Sequence, residues 1–266
     1  MAKHWDGLVL ENYKAVMPLT WNRKYGFYYL YQPALTASLG VFGNNINENL
    51  VKSFLDTVPE KFSLIEISLN HANNFRSSIN GYYSRSNYIL HLNKPYEEIL
   101  HSYRENHRRN ILRAKELGCR ISREISVDEI IQINRQQFKH IDGPKSGDYV
   151  RFKRLYEFLK GKDKAKSYAV VDTNNKTLAS AVFFFSHNRA FYILVGNHPD
   201  GKTAGASHAL IDAFIKDHAS QNLILDFEGS DIPNLAFFYH GFGAKEEIYP
   251  AIKINRLPWY ARLFKK

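Results

Sequence analysis

The stretch Leu223–Tyr249, LILDFEGSDIPNLAFFYHGFGAKEEIY, sets the carboxyls of Asp226, Glu228 and Asp231 between an apolar run and an aromatic one. Strand alternation places Asp226 and Glu228 on one face and Phe227 on the other. Two acids in this i, i+2 relation at a strand end can hold their pKa values apart, as a general base needs. Asp231 fits the N-cap of the helix that follows, and Ser230 could do the same job. The competing reading is that the three acids only punctuate a strand-to-helix turn.

A second candidate is the basic helix that carries Arg104, Arg108, Arg109, Arg113 and Lys115 along about three turns. Arg108 and Arg109 are candidate contacts for the phosphates of a nucleotide-linked precursor or a tRNA, with Tyr103 and His107 interleaved. A solvated helix paired through Glu105 and Glu116 is the alternative. None of the 11 histidines forms a metal-spaced pair with an acidic third ligand, so no metal is expected. No G-x-S-x-G elbow supports a serine nucleophile. The C-terminal NRLPWYARLFKK is basic and aromatic, suited either to touch an anionic membrane or to pack back on its domain.

Whole-chain properties bound these options. A length of 266 residues allows one large domain or two smaller ones. The net charge of +10, from 36 basic and 26 acidic residues, favours an anionic partner. No apolar run reaches the roughly 18 residues of a membrane span, so stable membrane insertion is not expected. The first residues lack the order of a signal peptide, and a cytoplasmic protein is expected. The single Cys119 rules out an intrachain disulfide and any cysteine-based zinc cluster.

The elements that must position the candidates follow from periodicity. Two β-rich runs from Leu8 to Leu35, parted by Asn22-Arg23-Lys24, read as a hairpin. INENLVKSFLDTVP has helical spacing, and FSLIEISLN and SNYILHLN read as strands. Pro95 opens one long helix, PYEEILHSYRENHRRNILRAKELG, with Gly118 as its stop. A Ser126-x-x-Glu129 capping box starts another, and GDYVRFKRLYEFLKG is a third. IDGPKSG between those two is a candidate mobile loop. After Lys166 come a three-stranded meander, the loop NHPDGKTAG, the helix ASHALIDAFIKDHASQ, the strand NLILDFEG, the helix DIPNLAFFYHG and a terminal strand.

The order of this second half, with YILVGNHPDGKTAGASHALIDAFI and YHGFGA, resembles the GNAT superfamily of N-acyltransferases. The first third looks like a degenerate copy of the same unit. Two such units joined through a helix of the RRNILRAKELG kind, with LDFEGSDIPNLAFFYHGFGA in the second, resemble the Fem-type peptidoglycan-bridge transferases and related bacterial acetyltransferase-like proteins. The resemblance implies an α/β (α+β) fold of two GNAT-like units, each a mixed, mostly antiparallel sheet flanked by helices. They would occupy residues 1–94 and 95–266, the last segment being a candidate to return to the first unit.

The same resemblance implies transfer of an acyl or aminoacyl group to an amine, with a small molecule or a cell-wall precursor as acceptor. The donor would be acetyl-CoA or another acyl-CoA, or an aminoacyl-tRNA. Leu194, Val195, Gly196, Gly201, Lys202, Gly205, Ala206 and Ser207 would bind it, the last five at a helix N-terminus whose backbone N–H groups suit phosphate. Thr203 stands where the superfamily has a glycine. Tyr239, four residues before Gly243, has the spacing of the tyrosine that protonates the leaving group, beside Asp226 and Glu228 as candidate bases. Packing of Phe237, Phe238, Tyr239 and Phe242 on the sheet is the plainer account. A non-catalytic module binding an anionic ligand is the rival function.

Overall fold

The computed structural model describes residues 2–74, 80–139, 143–229 and 231–262. Ser230, residues 140–142, which include the first two of the IDGPKSG loop, and residues 263–266 of the basic tail lie outside them. The chain packs as two compact units, Met1–Ser86 with Glu247–Lys266, and Asn87–Glu246.

In the first unit, β1 (His4–Leu10) pairs antiparallel with β2 (Ala15–Lys24), and β2 with β3 (Phe27–Tyr31). The short β4 (Phe42–Gly43) pairs β2, and α1 (Glu48–Asp56) is capped by Asn47, whose side chain accepts from the Leu50 amide. β3 runs parallel to β5 (Phe62–Ser68), which pairs antiparallel with residues 251–255. Alternate β2 residues Ala15, Met17 and Leu19 turn inward to meet Leu30, Val51, Phe54, Phe62, Ile65 and Ile252. The expected single hairpin is thus three strands. Its turn falls not at Asn22–Lys24, which belong to β2, but at Tyr25-Gly26, both with positive φ (51° and 86°), as a primed two-residue turn requires.

The second unit holds the candidate site. β6 (Tyr82–His91) contributes its residues from Asn87 onward, and α2 (Tyr96–His101) and α3 (Glu105–Glu116) follow. The single long helix expected here is broken at Ser102–Arg104. The cause is tertiary: the Arg104 amide donates to the Gly241 carbonyl at 2.9 Å, and Tyr103 is buried edge-on against Phe242. Gly118, φ 71°, does end α3.

After β7 (Arg120–Ser122), α4 (Val127–Gln137) starts at Ser126, whose side chain accepts from the Asp128 amide at 3.2 Å. Glu129 does not complete the expected capping box; its carboxylate accepts from the Thr177 hydroxyl. α5 (Ser146–Lys160) leads to the meander β8 (Ala165–Val171), β9 (Thr177–Ser186) and β10 (Arg189–Asn197), antiparallel throughout. The remaining elements are α6 (Pro199–Thr203), α7 (Ala206–His218), β11 (Ile224–Asp226), α8 (Pro233–His240), β12 (Lys245–Asn255) and α9 (Trp259–Arg262). Within this unit the strand order is β6, β11, β10, β9, β8, β7. α7 lies on the sheet, its Phe214 stacked on Phe183 with centroids 3.9 Å apart.

Candidate active site

β10 and β11 run parallel for only three residues, Arg189↔Ile224 to Phe191↔Asp226. Beyond that point β11 ends while β10 continues to Asn197, with a bulge between Tyr192 and Leu194. Parallel neighbours that part in this way leave a splay, and a bulge re-aims the side chains beside it. Both predicted acids lie where the pairing stops.

Asp226 closes the ladder. Its Oδ2 accepts from Arg189 Nη1 at 2.7 Å, both side chains being buried. Its Oδ1 accepts from Asn87 Nδ2 and from the Glu228 amide, each at 2.9 Å. Asn87 Oδ1 in turn accepts from the amides of Tyr88 (2.8 Å) and Gly229 (2.6 Å). A buried ion pair of this kind is stable only when its remaining lone pairs are satisfied, and here they are spent on holding a loop.

That loop presents Glu228. The strand alternation expected of Asp226 and Glu228 does not reach Glu228, which turns into the left-handed region at φ 64°, followed by Gly229 at 84°. A non-glycine residue there costs about 1–2 kcal/mol, and the Asp226 and Asn87 hydrogen bonds hold it in place. The Glu228 carboxyl accepts no hydrogen bond among the described residues. Burial, and then the Asp226 charge, push its pKa well above the ordinary 4.5 against the opposing pull of Arg189.

Tyr239, on α8, is buried and stacks on Phe227 at 4.4 Å, while Phe227 meets Tyr192 edge-on at 6.2 Å. Burial and the Glu228 charge push the Tyr239 hydroxyl up to about 12. Burial and Tyr239 raise Tyr192 well above 10. Neither hydroxyl has a hydrogen-bond partner among the described residues. The fully enclosed polar atoms without a partner among the described residues are Trp21 Nε1, Thr36 Oγ1 and Tyr103 Oη, so the Glu228 carboxyl and the two phenols keep some access to the surface beside the strand splay, as groups that meet a ligand would need.

The other predicted residues are placed differently. NHPDGKTAG is not an open loop: His198 caps α6, whose amides bond inward, Asp200 to His198 Nδ1 (3.2 Å), Gly201 to the His198 carbonyl (2.9 Å) and Ala204 to that of Asp200 (3.3 Å). A Cβ at Gly201 would strike the Leu178 carbonyl, and one at Gly205 (φ 72°) the Asn110 carbonyl, so both glycines serve close backbone approach. Ala206 is fully buried, Ser207 donates to Asn197 Oδ1, and Lys202 points to solvent.

On β10, Leu194 is buried, the Val195 carbonyl accepts from Asn134 Nδ2 (2.6 Å), and the Gly196 carbonyl from Ser180 Oγ (3.0 Å). Arg108 and Arg109 are exposed on α3, Arg109 near Glu105 at 3.9 Å, and neither bonds to Asp226, Glu228 or Tyr239. The N-cap of α8 is Ile232 rather than Asp231, which stands one residue earlier. The described residues contain no cluster of three or more His, Cys, Asp or Glu side chains able to hold a metal ion. None of their helices is long and apolar enough to cross a membrane.

Arg189, Asn87, Tyr192 and Phe227 were not singled out in the sequence. Only Arg189 leaves a trace there, as a lone cation opening the apolar run AFYILVG. Such a residue, once buried, needs an acid.

A meander, a splayed parallel strand and a tyrosine-bearing helix over a mixed sheet give this chain the fold seen in FemX. The chain superimposes on the crystal structure of FemX with a TM-score of 0.65 at 12% identity, covering 99% of this chain and 90% of that one. L-PGS from Bacillus licheniformis matches at 0.58 and 11%, over 97% of this chain and 86% of that one. The C-terminal domain of a protein assigned as a lysylphosphatidylglycerol synthetase from Agrobacterium fabrum matches at 0.54 and 11%, again over 97% and 86%. At these identities the likeness is one of fold. The sequence matches no family model and no curated protein.

Proposed function

We propose that the protein transfers an acyl or aminoacyl group to an amine, with Glu228 as the general base and Tyr239 as the proton donor to the leaving group. The observation that carries this reading is a pair of polar groups without a hydrogen-bond partner among the described residues, the Glu228 carboxyl and the Tyr239 hydroxyl, the first raising the pKa of the second, beside the splay of β10. As the amine nitrogen attacks the donor carbonyl, Glu228 takes the amine proton. The C–N bond forms, the bond from carbonyl carbon to oxygen or sulfur breaks, and the departing atom takes the Tyr239 proton. Asp226, Arg189 and Asn87 are positioning residues.

Of the two donor classes we favour an aminoacyl-tRNA over an acyl-CoA, because the Asp200 and Gly201 amides are turned onto His198 and the Asn110 carbonyl crowds Gly205 at the head of α7. The acceptor class we favour is a cell-wall precursor bearing a free amine, in keeping with the resemblance of LDFEGSDIPNLAFFYHGFGA to the Fem-type transferases. The test supplies radiolabelled aminoacyl-tRNA or acetyl-CoA with a nucleotide-linked peptidoglycan precursor. Label transfer from aminoacyl-tRNA that Glu228→Gln abolishes is the expected outcome. Transfer from acetyl-CoA would reverse the choice of donor, and binding of the precursor without transfer from either donor would favour a non-catalytic binding module.

A further inference from the structure

α8 reads Pro-Asn-Leu-Ala-Phe-Phe-Tyr-His and carries no Asp, Glu, Lys or Arg. Tyr239 is buried and Phe238 packs against His107, His208 and Phe242. The rest of its surface is open: Phe237 is 57% exposed, Leu235 40% and the preceding Ile232 58%. A protruding aliphatic and aromatic cluster costs free energy in water unless something covers it.

The chemistry beside the cluster says what that is. The Arg104 guanidinium lies over the Phe237 ring, 4.2 Å from its centroid, and its Nη2 meets His240 Nδ1 at 3.2 Å. One turn along α3, Arg108 is exposed and has no side-chain partner among the described residues. The nearby acids are engaged: Glu105 by Arg109, and Asp231 in contacts of its own. Apolar tips flanked by unneutralised guanidiniums, in a chain of net charge +10, match a surface that is oily below and anionic above.

We infer that α8 docks the protein on an anionic bilayer, with Ile232, Leu235 and Phe237 entering the headgroup region and Arg104 and Arg108 meeting lipid phosphates. Docking does not depend on the transfer chemistry and is read without it. The test is co-sedimentation with unilamellar vesicles of phosphatidylcholine alone and of phosphatidylcholine with phosphatidylglycerol. The protein should bind the second and not the first. Leu235→Ser with Phe237→Ser should lower partitioning at least about tenfold, and Arg108→Gln about fivefold on anionic vesicles.

Both apolar residues are exposed, so unchanged thermal melting of the double variant serves as its folding control. A Phe237→Trp variant should add fluorescence that brominated lipid quenches beyond the wild-type level. No binding to anionic vesicles would overturn the inference. So would a folded double variant that binds like wild type, which would transfer the role to another surface such as Trp259 and Tyr260.

Discussion

Where β10 pairs with β11, the Asp226 carboxylate is answered on both oxygens; where the two strands part, three polar groups have no hydrogen-bond partner among the described residues. Asp226, at the last paired position, has Arg189, Asn87 and a backbone amide on its two oxygens. Glu228, two residues on, and the phenols of Tyr192 and Tyr239 have no hydrogen-bond partner among the described residues. On the proposed reading, one half of the strand pair is scaffold and the other serves the chemistry. Mutations should therefore separate stability from activity according to which half they touch.

The largest effect is expected at the open half. Glu228→Gln should lower transfer by about 10²–10⁴-fold in steady-state assays. It should also raise Tm at pH 7, because the folded protein holds the Glu228 proton more tightly than the unfolded chain. The stability from this group is full below pH 4.5 and is lost as pH rises through the raised folded-state value, so wild type and variant should melt alike at acidic pH. A Tm lowered by the substitution would break the comparison.

At the paired half the signs reverse. Arg189→Ala leaves a buried carboxylate without its counter-charge and should destabilise by about 3–5 kcal/mol in urea unfolding. A loss under about 1 kcal/mol would show that Asp226 reaches water, as a surface pair does.

Smaller effects sharpen the boundary. His208, half-buried beside His107, has its pKa lowered to about 4 by burial and then by that neighbour. Its contribution is present above pH 6.5 and is lost as pH falls through about 4, so His208→Gln should flatten the fall of Tm over that interval. Glu228→Gly should relieve the left-handed backbone and gain about 1 kcal/mol while remaining inactive. A loss of stability there would mean that the loop leans on the Glu228 side chain.

Local pattern carried much of the fold. The meander, α7 and the stop at Gly118 follow from alternation, helical spacing and glycine chemistry, all set by neighbours in sequence. The break between α2 and α3 was invisible because its cause, the Gly241 carbonyl, lies far along the chain from Arg104.

The site divides the same way. Asp226, Glu228 and Tyr239 stood out by residue type and spacing, but the difference between the two acids did not. It is made by Arg189, 37 residues earlier, and Asn87, 139 residues earlier. Gly201 and Gly205 each lie against a backbone carbonyl, and a glycine needed for close backbone approach looks the same in sequence as one that cradles an anion. Asp231 as an N-cap had the right residue type and was one position early.

The central claim is that Glu228 is held as a proton acceptor with its pKa well above the ordinary glutamate value. Its most direct test is the carbon-13 NMR titration of the glutamate side-chain carboxyls, with the Glu228 resonance assigned by its absence from Glu228→Gln. We predict an inflection well above pH 4.5 for that resonance. Titration at or below 4.5 would contradict the account, since the carboxyl would then be an ordinary solvated acid.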